Sequence, residues 1–231
     1  MNNRILAFGC THFPYQHVDA LDFIAALLRS LKPDRVVHMG DEVDMHAMSF
    51  HEHNPNLPSA KDETDLAAAY VQDLYELVPR LDLLESNHGS LHLRKSIAAG
   101  IPNRFVRSYN DAWEVGKGWR WHDDLTLDTP MGAVYFHHGK RSNVLAASKE
   151  ESMSMVQAHY HTKMGAQFWG NSRNLYFAAQ TGCLIDRKKL AFAYGRNAVT
   201  KPLLGALLIE EGKPIVVPML LNRRGRWDRQ I

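Results

Sequence analysis

Five short polar strings hold the residues of this chain that can do chemistry. They are Gly9-Cys10-Thr11-His12, Gly40-Asp41-Glu42-Val43-Asp44, Ser86-Asn87-His88, His137-His138-Gly139 and His159-Tyr160-His161, and each stands just after an apolar run that reads as a strand. Side chains at the carboxyl ends of neighbouring strands in an open α/β sheet converge on one crevice. Together the strings offer thiol, imidazole, carboxylate and amide donors. That set suits two divalent ions held roughly 3.5 to 4 Å apart, provided one carboxylate bridges them and a position stays open for water. Asp41 is the natural bridge. Any one string is a weak signal, because a Gly-Asp at a strand end is often a turn and a lone histidine is more often a core or surface residue. The weight lies in five occurring in order. Strand side chains alternate with a period of two, so His159 and His161 are expected on one face, within reach of adjacent ions.

The elements that must position these strings follow from periodicity. Arg4 to Gly9 is a short apolar run, and residues 18–31 carry Leu21, Ile24, Ala25, Leu28 and Leu31 at helical spacing before Pro33 ends the helix. Residues 35–39 form the next strand, so the chain opens as a βαβ unit with a parallel pair. Residues 45–62 hold His46, His51, His53, Pro55 and Pro58 without periodicity and read as a long loop or lid over the site. A helix over 63–77 and a strand over 81–84 follow, the strand delivering Asn87 and His88. Residues 104–122 mix Phe105, Tyr109, Trp113, Trp119 and Trp121 with glycines and are expected to form irregular strands. A hairpin pairs 125–127 with 133–136 across the turn-rich segment 128–132. A helical piece at 144–153 leads to a strand at 155–158, and strands near 174–179, 203–209 and 214–220 complete the second half.

Composition bounds the rest. The 231 residues contain no Pro/Ser/Gly-rich linker and read as a single domain over 1–231. At 45% hydrophobic and 23% charged residues, the chain is that of an ordinary globular protein with a sizeable core. No apolar run reaches the roughly 18 to 20 residues of a membrane helix, and Met1-Asn2-Asn3-Arg4 shows no signal-peptide pattern, so a cytoplasmic protein with no membrane partner is expected. Cys10 and Cys183 are then free thiols. The net charge of +2 is uninformative over the whole chain. The tail at 222–231, with Arg223, Arg224, Arg226, Trp227 and Arg229, has a composition that holds phosphates and stacks a base, or else it is a solvated, frayed terminus.

In order and spacing, the strings over residues 4–161 resemble the calcineurin-like metallophosphoesterases. That family's pattern runs Asp-x-His, Gly-Asp-x-x-Asp, Gly-Asn-His-Asp/Glu, His-Gly and Gly-His-x-His. The resemblance implies an α/β fold in which two mixed β-sheets pack as a sandwich flanked by α-helices, in four αββα layers. It implies that Cys10, His12 and His161 bind a first ion, that Asp41 bridges, and that Asn87, His138 and His159 bind a second. His138 is chosen over His137 because the family histidine directly precedes the glycine, and His137 should then face away. His88 takes the place of the catalytic histidine that contacts the scissile phosphate or protonates the leaving oxygen, with Asp44 orienting a ligand or water from behind.

This chain departs from the pattern at three places. Cys10 stands where the first aspartate is expected, the third string reads Ser86-Asn87-His88-Gly89 with neither the preceding glycine nor the following acid, and Ala158 replaces a glycine. A thiolate keeps the single negative charge of the aspartate but is a softer donor, which favours zinc or iron, with manganese also in the set, over magnesium. The alternative for Cys10 is a small buried hydrophobe. Arg94, Lys140 and Arg141 are candidates to hold substrate phosphate, against the alternatives of a helix cap and a solvated turn.

The activity implied is metal-dependent phosphoester hydrolysis by in-line attack of a hydroxide held between the two ions, with His88 assisting departure of the alcohol. The basic tail and aromatic middle favour a diester, so a phosphodiesterase or nuclease acting on a nucleotide or nucleic acid. The alternatives are a phosphomonoesterase and a non-catalytic scaffold whose site is degenerate at Cys10 and in the third string. No feature of the sequence specifies an oligomeric state.

Overall fold

A computed structural model describes residues 3–50, 54–189 and 199–231. The chain begins with β1 (Arg4–Phe8), whose alternation decides the layering. Leu6 and Phe8 point to one side, into a core with Phe23, Ile24, Leu27, Val71 and Leu74, while Ile5 and Ala7 point to the other, into a core with Val134, Phe136, Val156 and Phe177. A strand apolar on both faces must be covered on both. Each fully buried side chain of this kind contributes about 1.5 to 3 kcal/mol relative to exposure.

α1 (Ala20–Leu31) and α2 (Ala60–Leu77) supply the cover on the first side. In α1 the buried Phe23, Ile24 and Leu27 recur at helical spacing, and the helix ends at Lys32, whose left-handed φ of 44° lets its N–H reach the Leu28 carbonyl. α2 starts at Ser59, whose hydroxyl accepts the N–H of Asp62. β2 (Arg35–His38) and β3 (Leu81–Leu84) lie parallel to β1, and after α3 (Leu91–Ala98) and the single turn α4 (Tyr109–Ala112), β4 (Trp119–His122) joins them.

The second half builds the other sheet. β5 (Leu125–Thr129) and β6 (Gly132–His137) form the hairpin, α5 (Val144–Glu151) crosses over, and β7 (Ser154–Gln157), β8 (Met164–Gly170) and β9 (Leu175–Thr181) complete it. β10 (Gly205–Glu210) and β11 (Lys213–Pro218) then return to the first sheet, β10 pairing antiparallel with β1. The sheets run β11-β10-β1-β2-β3-β4 and β5-β6-β7-β9-β8. α5 packs on β7 and β9 from outside. The result is the expected αββα sandwich. Among the described residues no helix is long and apolar enough to cross a membrane.

Several local expectations need correction. Residues 104–122 are not mainly strand: Asn103–Phe105 is a 3-10 turn and α4 follows, capped by the Ser108 hydroxyl, which accepts the N–H of Asp111. The strand there is β4, fixed by the buried Trp119, whose indole N–H donates to the Val78 carbonyl at 2.8 Å. β8 was not legible, because its residues are half-exposed and carry no clean alternation. In the segment 45–62, His46–Met48 forms a 3-10 turn whose first N–H groups, from His46 and Ala47, both donate to the buried Glu63 carboxylate at 2.8 Å, and α2 already starts at Ala60. His51 and His53 lie outside the described residues.

The basic tail is folded rather than frayed. The Asp19 carboxylate at the start of α1 accepts two-pronged hydrogen bonds from Arg226 and the N–H of Trp227, and the Trp227 ring is buried edge-on against Phe23. That ring therefore has no open face on which to stack a base.

Candidate metal centre

The parallel strands β1, β2 and β3 end toward one rim, as do the parallel β6 and β7 of the facing sheet. The five strings continue from those ends. They are laced together by main-chain bonds: Cys10 N–H to Gly40 O at 2.9 Å, His12 N–H to Asp41 O at 2.9 Å and Ala158 N–H to His138 O at 2.9 Å. Cys10, His12, Asp41 and His159 all adopt left-handed φ values, of 50°, 49°, 52° and 61°. Such backbone costs of order 1 to 3 kcal/mol per residue and persists only where the surroundings enforce it. Gly40, at φ 89°, needs to be glycine for a second reason: a Cβ there would come within 2.7 Å of His138 Nδ1 and of Ser86 Cβ.

The side chains gather into two groups that share Asp41. One ligand atom each from Cys10, His12, Asp41 and His161 lie within 4.8 Å of one another, and so do those of Asp41, His138 and His159. In the first group His12 Nε2 is 3.2 Å from His161 Nε2 and 3.4 Å from Asp41 Oδ2. In the second, His138 Nε2 is 3.1 Å from Asp41 Oδ2, 3.2 Å from His159 Nδ1 and 3.0 Å from Asn87 Oδ1. His138 Nδ1 donates to the Met39 carbonyl at 2.6 Å, which leaves Nε2 as the ring atom that faces the Asp41 carboxylate and Asn87 amide oxygens. Carboxylate, amide oxygen and imidazole nitrogens converging within such distances are the donors a divalent ion takes, so the residues present fit metal ions. Cys10 is buried in the inter-sheet core, yet its sulfur belongs to the first group and accepts the N–H of His159 at 3.3 Å.

Electrostatics separate the roles. Burial works against ionisation of Asp41, but His138 and His12 beside it hold its pKa well below the usual carboxylate range. Burial likewise opposes charge on His12, and the hydrogen bonds with Asp41, Asp44 and Cys10 override it and raise its pKa. Burial pushes His161 down to about 3 and lowers His159, so both stay neutral and available as ligands. The Cys10 thiol is pushed up, mainly by burial and further by Asp41. His88 joins the first group through Asp44, which also lies 3.6 Å from His12 Nδ1: His88 Nδ1 is 3.2 Å from Asp44 Oδ1, and the carboxylate raises its pKa against the opposing effect of burial.

His159 and His161 converge for a different reason from strand alternation. β7 ends at Gln157, His159 turns left-handed and Tyr160 N–H reaches back to Ala158 O at 2.6 Å, so a tight reversal sends His159 to one group and His161 to the other. His137 stacks on Tyr135 and accepts the N–H of Gly139. Lys140 pairs with Glu151, and Arg141 lies 2.7 Å from Glu150, so both cations reach toward α5. Arg94 donates to the Asn87 carbonyl at 3.0 Å and lies over Phe50.

Two residues carry more than their types suggested. Ser86, in place of a glycine, has its hydroxyl accepting the N–H of Asp41 at 2.8 Å and of Gly89 at 3.1 Å, which holds the main chain of Asp41, while the His88 N–H donates to its carboxylate at 3.1 Å. Glu42 is buried, and a Cβ added at Gly89 would come within 2.7 Å of its Oε1. The acid missing from the third string is thus replaced in space by one from the second. Burial lifts its pKa to about 7, with Asp41 adding to the rise.

No family model matches this sequence, and no curated protein matches it. The structure is similar to solved ones. YfcE, a phosphoesterase from E. coli, superposes with a TM-score of 0.51 at 11% identity, over 99% of this chain and 98% of that one. Vps29 of Chaetomium thermophilum superposes with a TM-score of 0.51 at 11% identity, over 97% and 93%. Set beside the strand order and the converging strings, these likenesses show that the chain has the calcineurin-like metallophosphoesterase fold.

Proposed function

We propose that this protein is a metal-dependent phosphoester hydrolase that cleaves phosphodiesters at the centre formed by Cys10, His12, Asp41, Asn87, His138, His159 and His161. One observation carries the reading: donor atoms from separate chain segments meet in two groups that share Asp41. Burying so many polar groups against one another costs free energy unless something pairs them. Divalent ions held there would lower the pKa of water and neutralise charge on phosphoryl oxygens. Asp41, common to both donor groups, would serve both positions. His88 delivers a proton from Nε2 to the leaving oxygen, and Asp44 holds its ring through Nδ1 and favours its charged form. Cys10 makes the first position the softer one, suited to zinc or iron, with manganese acceptable at the second. Both cysteines are unpaired, which supports a reducing compartment such as the cytoplasm.

The test is hydrolysis of bis(p-nitrophenyl) phosphate. Chelation and His88→Ala should each abolish most of it, and a rate indifferent to both would end the proposal. A scaffold role is the second reading, favoured by the likeness to Vps29, a protein named for vacuolar protein sorting. Metal analysis separates the two: about two equivalents per chain support the enzyme, none supports the scaffold.

A further inference from the structure

The chain leaves the centre at Asn87 and His88 and enters α3 at Leu91, so α3 leads away from it. The 3-10 turns His46–Met48 and Asn103–Phe105 both pack against α3. Each brings an exposed phenyl ring: Phe50 is 51% exposed and Phe105 74%. Each ring also has cations over its face. Lys95 Nζ is 4.2 Å and Arg94 Cζ 5.3 Å from the Phe50 centroid, and Arg104 Cζ is 5.7 Å from that of Phe105. Among the described residues none of Arg94, Lys95, Arg104 or the nearby Arg107 has a carboxylate partner.

Exposed rings cost hydration free energy and neighbouring cations repel one another, so two exposed rings with cations over their faces, both packed on the helix that leaves the site, point to an anionic, ring-bearing ligand. Grooves for single-stranded nucleic acid are built this way, with cations along the phosphates and aromatic faces for the bases. The peptide link tightens the argument, because Arg94 also holds the carbonyl of Asn87. We infer that α3 and its two flanking turns form a track for single-stranded nucleic acid that leads a phosphodiester into the metal centre. The inference rests on the hydrolytic reading of that centre for its biological sense, though not for its binding geometry.

The probe is a fluorescein-labelled, phosphorothioate oligothymidylate, followed by anisotropy on the metal-loaded full chain. Phe105→Ala should weaken binding about fivefold or more, the loss of one stacked base, while Phe105→Tyr should retain it. Lys95→Ala combined with Arg104→Ala should flatten the slope of log K against log salt by about 1.4, the share of two phosphates on a single strand. All three variants should hydrolyse bis(p-nitrophenyl) phosphate at the wild-type rate, since that diester is too short to reach the turns. Absence of oligomer binding, or binding and salt slope unchanged in the variants, overturns the track. Loss of diester hydrolysis in the wild type with oligomer binding still dependent on Phe105 and the cations sinks only the hydrolytic reading.

Discussion

His88 donates its Nδ1 proton to the main-chain carbonyl of Asp44 at 2.6 Å, while the carboxylate of the same residue stands 3.2 Å from that nitrogen. One residue thus fixes both the ring's orientation and its proton. If His88 is the acid, His88→Ala should lower turnover of a diester by about 10² to 10⁴. Asp44→Asn keeps the carbonyl and removes the charge that raises the His88 pKa. An acid acts only while protonated, so its alkaline limb should move to lower pH in Asp44→Asn. A pH–rate profile with the limb unmoved would separate His88 from proton transfer.

The division of ligands around Asp41 is directly countable. His138→Ala should leave about one equivalent of metal and weaken the other at least a hundredfold, whereas Asp41→Ala should deplete both positions. Cys10→Asp should shift preference from zinc toward manganese while retaining hydrolysis. With cobalt, the wild type should show a thiolate charge-transfer band that Cys10→Asp lacks. Metal content and selectivity indifferent to position 10 would return the cysteine to packing.

Glu42 supplies a stability test in the metal-free protein. Its pKa is about 7 in the fold and 4.5 as the ordinary value, so between those limits the folded state holds a proton that the unfolded chain has lost. Stability from this group is therefore full below 4.5 and falls as pH rises through 7. Glu42→Gln should raise stability at pH 8 by up to about 3 kcal/mol and change it little at pH 4, measured by urea unfolding at both. Equal effects at the two pH values would contradict an uncharged Glu42.

The tail gives the opposite sign. Arg226 and the Trp227 N–H hold Asp19 down to about 2 from 3.8, so this stability is present above 3.8 and is lost as pH falls through 2. Arg226→Ala should lower stability at neutral pH, modestly because the guanidinium is half-exposed, and should flatten the acid limb. A thermal melt shows the first effect and acid unfolding the second.

Much of this centre was legible because its strings sit at strand ends, where a period of two gives way to glycine and polar residues. The strands feeding Cys10, Asp41, Asn87 and His138 were readable from their apolar runs alone. What escaped depends on space rather than sequence distance. Glu42 stands beside Gly89 only once β2 and β3 are paired, and Ser86 can cap Asp41 only across that same pair. Each looked like a departure from a pattern and is a substitution made elsewhere in the chain. β8 escaped because an edge strand with one half-wet face needs no alternation, and the tail because its anchor, Asp19, lies at the other end of the chain.

β1 has its place between β2, its near neighbour in sequence, and β10, whose Glu210 pairs with Arg4 across 206 positions. At synthesis rates of about 5 to 20 residues per second, roughly 10 to 40 seconds separate emergence of these partners. Through that interval β1 has an unpaired edge, and the loop bearing Cys10 and His12 lacks the later segment whose Leu184 N–H bonds to Cys10 O. Cys10 and His12, the first candidate ligands made, are thus among the last to be fixed, so an ion held there would be captured after β10 and the Leu184 segment have docked rather than during synthesis.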